Sequence, residues 1–253
     1  MALLSSVRIR LAKAAVDNGF DIELSTEGEW LGFGSSDVKL RIWLTALGDT
    51  VMLAAFSQPN VLRALAGMGT PFSSPMPSGA CGALGVTDYA ALHRILRRAP
   101  QLSRTLPDEL WKVFAEKAEG MPRETEAERF VVQRVGQDVF RDGLLDYWDG
   151  RCAMSGLAVP ELLRASHIKP WAACERDEER LDVFNGLLLA AHLDAAFDKG
   201  LITVSDDGVV LVSSALDAVA RALLGLDRPM KVPGIVQGHR GYLPFHRGSL
   251  FRP

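Results

Sequence analysis

Residues whose side chains could do chemistry are concentrated in one segment, RASHIKPWAACERDEERLDVFNGLLLAAHLDAAFDKGLITV, which spans residues 164–204. An imidazole with an unperturbed pKa of about 6.5 can take a proton from water near neutral pH. A carboxamide cannot ionise but can hold another group in place by hydrogen bonds, and carboxylates together with imidazoles can bind a divalent cation. The candidates for these tasks are His167, Asn185, His192, Asp194 and Asp198.

The elements around these residues are predicted to be a strand, a loop and a helix. The extended stretch LLRASHIKP ends at Pro170, so His167 should lie at the end of a strand. Asn185 precedes a glycine and is predicted to lie in a loop. Residues 192–198 should lie on or just before a helix that ends at Gly200, because glycine is a common helix stop. These side chains can form one site only if the strand, the loop and the helix fold back so that they lie close together.

Three motifs in this segment resemble those of the HNH endonuclease superfamily. They are HIKPW at residues 167–171, NGLLL at 185–189 and FDKGLI at 197–202. The resemblance extends over about residues 123–253 and does not cover the first half of the chain. It implies a domain in which two strands and a helix hold one metal ion, and an enzyme that hydrolyses phosphodiester bonds of DNA.

The resemblance also implies a role for each candidate in the strand and loop. His167 would be the general base that activates the attacking water, and Asn185 would hold His167 in the useful tautomer. The expected cofactor is one divalent metal ion, with Mg²⁺ favoured and Mn²⁺ or Zn²⁺ as alternatives.

The metal ligands are expected on the helix, as a His192/Asp194 pair with Asp198 in reserve. Asp194 and Asp198 are four positions apart and would share a helix face. In a regular helix His192 and Asp194 point roughly 200° apart. The pair can therefore converge only if the helix begins at about Leu193.

One position in the expected metal site departs from the superfamily pattern. Many relatives carry an acid or a histidine just before the base, whereas this chain has Ser166. Serine is a poor ligand, so either water completes the coordination sphere or the activity is reduced or lost. The alternative function is a catalytically silent HNH-fold module that binds DNA. Phosphate contacts are expected from Arg164, Lys169, Lys199 and Arg247.

Length and composition favour a folded protein that is neither exported nor embedded in a membrane. The chain has 253 residues, a net charge of −3 and 48% hydrophobic residues. No signal peptide and no run of about 20 apolar residues is visible. The three cysteines, Cys81, Cys152 and Cys174, form no CxxC pair, which fits a reducing cytoplasm. A cytoplasmic location is therefore predicted, and a secreted or injected toxin is the weaker reading.

The whole chain is predicted to be an α+β protein of two domains. Residues 1–120 should form an α+β domain with a small antiparallel sheet, and residues 121–253 the HNH nuclease domain. The Gly/Pro/Ser-rich stretch at residues 67–85 is expected to be a flexible or lid-like connection, or disordered. The first domain could recognise the target or regulate cleavage, since the superfamily includes many restriction and defence nucleases. A homodimer would suit double-strand cutting.

The C-terminal stretch is locally basic in an otherwise acidic chain. Its basic residues from 221 to 253 are Arg221, Arg228, Lys231, Arg240, Arg247 and Arg252, and its acid is Asp227. Two readings stay open at this stage: a surface that faces phosphate, or a solvated tail.

Overall fold

The computed structural model describes residues 3–48, 50–73, 75–106, 109–122 and 124–253. The chain forms two compact units, Met1–Pro107 and Asp108–Pro253. The second unit begins earlier than the predicted boundary at residues 120/121, because helix Glu109–Lys117 packs against helix Glu126–Tyr147. Within the described ranges, no helix has both the length and the apolar character that crossing a membrane requires.

The first unit is an antiparallel sheet with helices packed against it. Its elements are α1 (Ser5–Val16), β1 (Ile22–Glu23), β2 (Leu31–Gly34), β3 (Ile42–Leu47), β4 (Val51–Phe56), α2 (Pro59–Leu65), β5 (Thr70–Phe72), β6 (Gly82–Val86) and α3 (Tyr89–Thr105). The strand order is β1-β2-β3-β4-β6-β5. All three helices contact the sheet, and its central strands β3 and β4 are almost fully buried because both of their faces are apolar.

Residues 67–85 are not simply a connection. They contribute β5 and β6, and β6 lies inside the sheet between β4 and β5. The glycines that suggested a loop serve close packing instead: a Cβ at Gly85 would lie 3.2 Å from the Leu53 side chain. The prediction of a lid-like or disordered stretch is wrong for these strands, because small residues in a buried strand resemble a loop in composition.

The second unit is built around a long helix and a two-stranded hairpin. Its elements are α4 (Glu109–Lys117), α5 (Glu126–Tyr147), β7 (Leu163–His167), α6 (Asp177–Arg180), β8 (Gly186–Ala190), α7 (Ala191–Asp198), β9 (Ile202–Val204), β10 (Val210–Val212), α8 (Ala218–Leu223), α9 (Gln237–Arg240) and α10 (Leu243–Ser249). β7 pairs antiparallel with β8, and β9 pairs antiparallel with β10. The prediction of an α+β protein with a C-terminal domain of two strands and a helix is confirmed.

Helix α5 packs against the hairpin. A reciprocal N-terminal cap fixes the residue at which α5 begins. The Thr125 hydroxyl accepts a hydrogen bond from the Glu128 amide, and the Glu128 carboxylate accepts one from the Thr125 amide. Further along, Phe140 reaches the hairpin because position 186 is a glycine. A Cβ at Gly186 would lie 2.5 Å from the Phe140 ring. This close approach places an aromatic ring directly beside His167, the partner of Gly186 in the hairpin.

Candidate active site

His167, the last residue of β7, has its proton fixed by a backbone carbonyl. Its Nε2 lies 2.8 Å from the carbonyl oxygen of Arg180. Because a carbonyl can only accept, Nε2 must donate, and the neutral ring then carries its lone pair on Nδ1. Among the described residues, none forms a hydrogen bond with that Nδ1. The ring is therefore held in one tautomer with a basic nitrogen available.

Aromatic neighbours keep this imidazole uncharged. The His167 ring stacks on Phe140 at 3.9 Å between centroids and meets the edge of Trp171 at 5.7 Å. Burial lowers the pKa of His167 to about 4, against the smaller raising effect of the Arg180 carbonyl. His167 is half-buried rather than enclosed. At neutral pH it is an unprotonated base at the edge of the domain.

Asn185 holds the chain that follows His167 by hydrogen bonds to its backbone. Its Oδ1 accepts from the Lys169 amide at 2.8 Å, and its Nδ2 donates to the carbonyls of Lys169 at 3.1 Å and Glu179 at 3.0 Å. The sequence predicts that Asn185 holds His167 in the useful tautomer, but none of these hydrogen bonds goes to the His167 ring. Fully buried Asn185 instead ties both ends of the 169–179 loop together, and that loop leads to the Arg180 carbonyl.

A hydroxyl and two carboxylates lie where α7 packs against β7. Side chains alternate along β7, so His167 faces α5 whereas Ser166 points to α7, where its hydroxyl donates a hydrogen bond to Asp194. Asp198 follows one helical turn later. Although Asp198 is exposed as a residue, partial burial of its carboxyl group and the charge of Asp194 raise its pKa. Two acids at this spacing repel each other, and a cation would relieve that repulsion.

His192 lies away from these acids. Helix α7 begins at Ala191 and not at Leu193, so His192 and Asp194 are two positions apart within a regular helix and point roughly 200° apart. The expected His192/Asp194 ligand pair does not form, and His192 is exposed. Over the residues that the structure describes, no three His, Cys, Asp or Glu side chains come together as a metal-binding group.

A known protein family matches the residues that form this site. The family model described as HNH endonuclease matches residues 152–205, which include β7, the loop, β8 and α7. This segment belongs to the HNH endonuclease family. No curated protein sequence matches the chain. The residues 152–205 are called the HNH domain below. The match suggests a nuclease or DNA-interacting function for these residues.

The four cations predicted to contact DNA differ in how far the fold already uses them. Lys169, two residues after His167, forms an ion pair with Glu179 at 2.9 Å. Arg247 donates to the Val204 carbonyl and to the Asp206 carboxylate. Arg164 donates to the carbonyls of Glu161 and Leu163. Lys199 is exposed just after α7, and its charge acts on the neighbouring Asp198 carboxylate, whose pKa it lowers.

The basic C-terminal stretch folds onto the HNH domain and is not a loose tail. Arg221 donates to the carbonyls of Leu216 and Ser213, and Arg240 donates to that of Asp206. His239 and His246 are fully buried. These bonds close the last helices onto the rest of the second unit. The stretch as a whole is therefore neither a phosphate-facing surface nor a solvated tail, because several of its cations stabilise the fold.

Two groups that shape the site were not identified from the sequence. The apolar spacing of α5 predicts a buried Phe140 but does not show which residue it contacts. The Arg180 carbonyl is a backbone group, and no side-chain pattern marks it. Arg180 itself is held by its guanidinium, which donates to the Trp171 carbonyl at 3.2 Å and to Asp177 at 2.7 Å. A short acidic helix, α6, thus positions the acceptor for the His167 proton.

Proposed function

We propose that this protein is a metal-dependent DNA endonuclease in which His167 is the general base. The observation that carries the proposal is the state of the His167 ring: its proton is fixed on Nε2 by a carbonyl, and its Nδ1 has no partner among the described residues. A buried structural histidine usually has both nitrogens bonded. The HNH domain supports a nuclease function and DNA as the substrate.

The proposed step is hydrolysis of a phosphodiester bond. A water oxygen attacks phosphorus while its proton passes to Nδ1 of His167, which becomes a cation. The bond from phosphorus to the leaving sugar oxygen breaks, and that oxygen takes a proton from solvent. The low pKa of His167 leaves the ring neutral before attack. A neighbouring phosphate, being anionic, would stabilise the imidazolium that forms.

Asp194, Asp198 and Ser166 would hold the metal ion. All of their donor atoms are hard oxygens, and two carboxylates with a hydroxyl fit Mg²⁺ or Mn²⁺ better than Zn²⁺. The raised pKa of Asp198 beside Asp194 fits a place where positive charge is needed. A bound divalent cation would stabilise charge on the scissile phosphate and on the leaving oxygen.

One observation favours a second function, the silent DNA-binding module. Ser166 occupies the position of the usual extra ligand, and its hydroxyl is bonded to Asp194. If that bond persists, one acid of the pair is already engaged. This second reading predicts DNA binding without cleavage.

Plasmid nicking by the full chain separates the two functions. We expect Mg²⁺ or Mn²⁺ to support conversion of supercoiled DNA to nicked DNA, and EDTA to stop it. Asp194→Asn should lower the rate at least ~100-fold, because a ligand that stabilises transition-state charge is worth several kcal/mol. Asp207→Asn, at an exposed turn residue, is the matched control and should cut normally. DNA binding without nicking under any metal would establish the silent module.

We infer a restriction or defence role in the cytoplasm, with the first unit as target reader or regulator. Nicking of methylated and unmethylated plasmid by the same preparation tests the reader role. A homodimer would deliver cuts to both strands, and sedimentation with and without duplex DNA tests it.

A further inference from the structure

Positive charge in the first unit is concentrated on two neighbouring helices. Neither α1 nor α3 contains an aspartate or a glutamate, although the chain as a whole has a net charge of −3. Their cations are Arg8, Arg10 and Lys13 on α1, and Arg94, Arg97, Arg98 and Arg104 on α3. The exposed members are Arg8, Arg10, Lys13, Arg94 and Arg97, and we call these five the basic face. This separation of charge within one unit is what a polyanion would recognise.

A hydrogen-bonded link holds the two helices together. The Asn18 amide nitrogen donates to the Ala14 carbonyl at 2.7 Å, which fixes the orientation of the amide. The same nitrogen lies 2.8 Å from Nδ1 of His93 and donates to it. Nε2 of neutral His93 therefore carries the proton and is a donor. Arg10 is placed over the Tyr89 ring at 5.7 Å, a second contact between α1 and α3.

These contacts line a shallow groove that offers donors and cations. The groove has a volume of about 310 Å³ and is lined by Arg10, Lys13, Tyr89 and His93. No carboxylate is among these lining residues. Lys13 pairs with Asp17 at 2.9 Å, and a pair this exposed is weak enough for a phosphate to compete. The described part of the chain contains no ion pair for Arg8, Arg94 or Arg97.

We propose that the basic face binds the phosphate backbone of duplex DNA, with the groove between α1 and α3 as one phosphate site. The proposal rests on the proposed endonuclease function, which supplies DNA as the partner. Arginine and lysine contacts of this kind position a protein on DNA without reading the sequence. The first unit would thereby raise the affinity of the chain for its substrate.

The test is DNA binding by the full chain as a function of salt. Fluorescence anisotropy of a labelled duplex in EDTA measures binding without cleavage. Arg94→Glu/Arg97→Glu should weaken binding roughly 10-fold to 100-fold at about 0.1 M salt and flatten the plot of log K against log salt by about two units. Lys39→Glu/Arg41→Glu makes the same change in charge outside α1 and α3 and should leave binding within about 3-fold. Melting temperatures of both variants exclude unfolding.

The outcomes separate this inference from the proposed function. If wild-type protein binds duplex DNA and the Arg94/Arg97 variant binds equally well with an unchanged salt slope, the basic face is not a DNA surface, whatever the nuclease does. Equal weakening by both variants would also overturn the proposal, since the effect would then follow net charge and not position. If wild-type protein neither binds nor nicks DNA, both the proposed function and the proposed DNA-binding face are overturned.

Discussion

His167 and His246 lie in almost the same surroundings but differ at one nitrogen. Each stacks on a phenylalanine, His167 on Phe140 at 3.9 Å and His246 on Phe197 at 3.7 Å. Each directs Nε2 at a backbone carbonyl, and burial lowers each pKa to about 4. Nδ1 of His246, however, is bonded to the Thr203 hydroxyl at 2.9 Å, and the residue is fully buried.

The comparison shows how His167, the proposed base, differs from His246. Stacking, a carbonyl partner and a low pKa are common to both, so none of them marks a catalytic residue. Only the open Nδ1 and the partial exposure of His167 leave room for a proton to be accepted from water. His246 therefore serves as an internal control for every experiment on His167.

The largest expected effect on stability is a loss in acid, to which two buried histidines, His246 and His239, contribute together. The folded pKa of His246 is about 4, below the unfolded value of about 6.5, so the unfolded chain binds protons first as pH falls. The free energy of unfolding should be fully present above pH ~6.5 and fall by up to roughly 3 kcal/mol for such a buried histidine on approaching pH ~4. Buried His239 adds to this in the same direction. Urea unfolding at several pH values measures it, and a flat profile would contradict the assigned pKa values.

Replacing His246 should destabilise the fold without a catalytic effect. His246→Ala removes the contact with Phe197 and strands the Thr203 hydroxyl, so unfolding should become easier by about 2–4 kcal/mol. His192→Ala, at an exposed histidine, is the control and should stay within about 0.5 kcal/mol of wild type. Cleavage by the folded fraction should be unchanged in both. If His192→Ala lost cleavage, His192 would again be a candidate metal ligand.

The smallest expected effect comes from a substitution that leaves the His246 Nδ1 without a partner, as in His167. Thr203→Val keeps the volume of the side chain but removes the partner of the His246 Nδ1, which should cost about 1–2 kcal/mol of stability. Cleavage should not increase, because His246 stays buried and away from solvent. Thermal unfolding and the nicking assay check the two parts. If Thr203→Val left the thermal stability unchanged, the Thr203 hydroxyl would not be what distinguishes the two histidines.

The sequence predicts the framework of the site well because that framework is local. Strand, loop and helix follow from Pro170, the Asn185-Gly186 turn and Gly200, and the structure places them in that order. The start of α7 could not be predicted, since Ala190, which precedes the helix, is no capping residue and makes no side-chain cap. That uncertainty, together with the family resemblance, placed His192 in the expected ligand set.

Long-range partners are the part that the sequence does not predict. Thr203 lies far along the chain from His246, and the Arg180 carbonyl is a backbone group without a residue-type signal. Arg247 is expected from the sequence to bind phosphate because a guanidinium can donate two parallel hydrogen bonds. In the structure it donates them to the Val204 carbonyl and the Asp206 carboxylate instead. Charge and residue type indicate what a side chain can bind, and only the fold shows what it already binds.

The central claim is tested most directly by single-turnover DNA cleavage with His167→Ala and His246→Ala side by side. Both should be assayed with Mg²⁺ at equal concentrations of folded protein, with DNA binding measured in EDTA. We predict that His167→Ala loses cleavage by ~10²–10⁴-fold while keeping DNA binding, and that folded His246→Ala cuts within about 3-fold of wild type. Normal cleavage by folded His167→Ala would contradict the assignment of His167 as the general base.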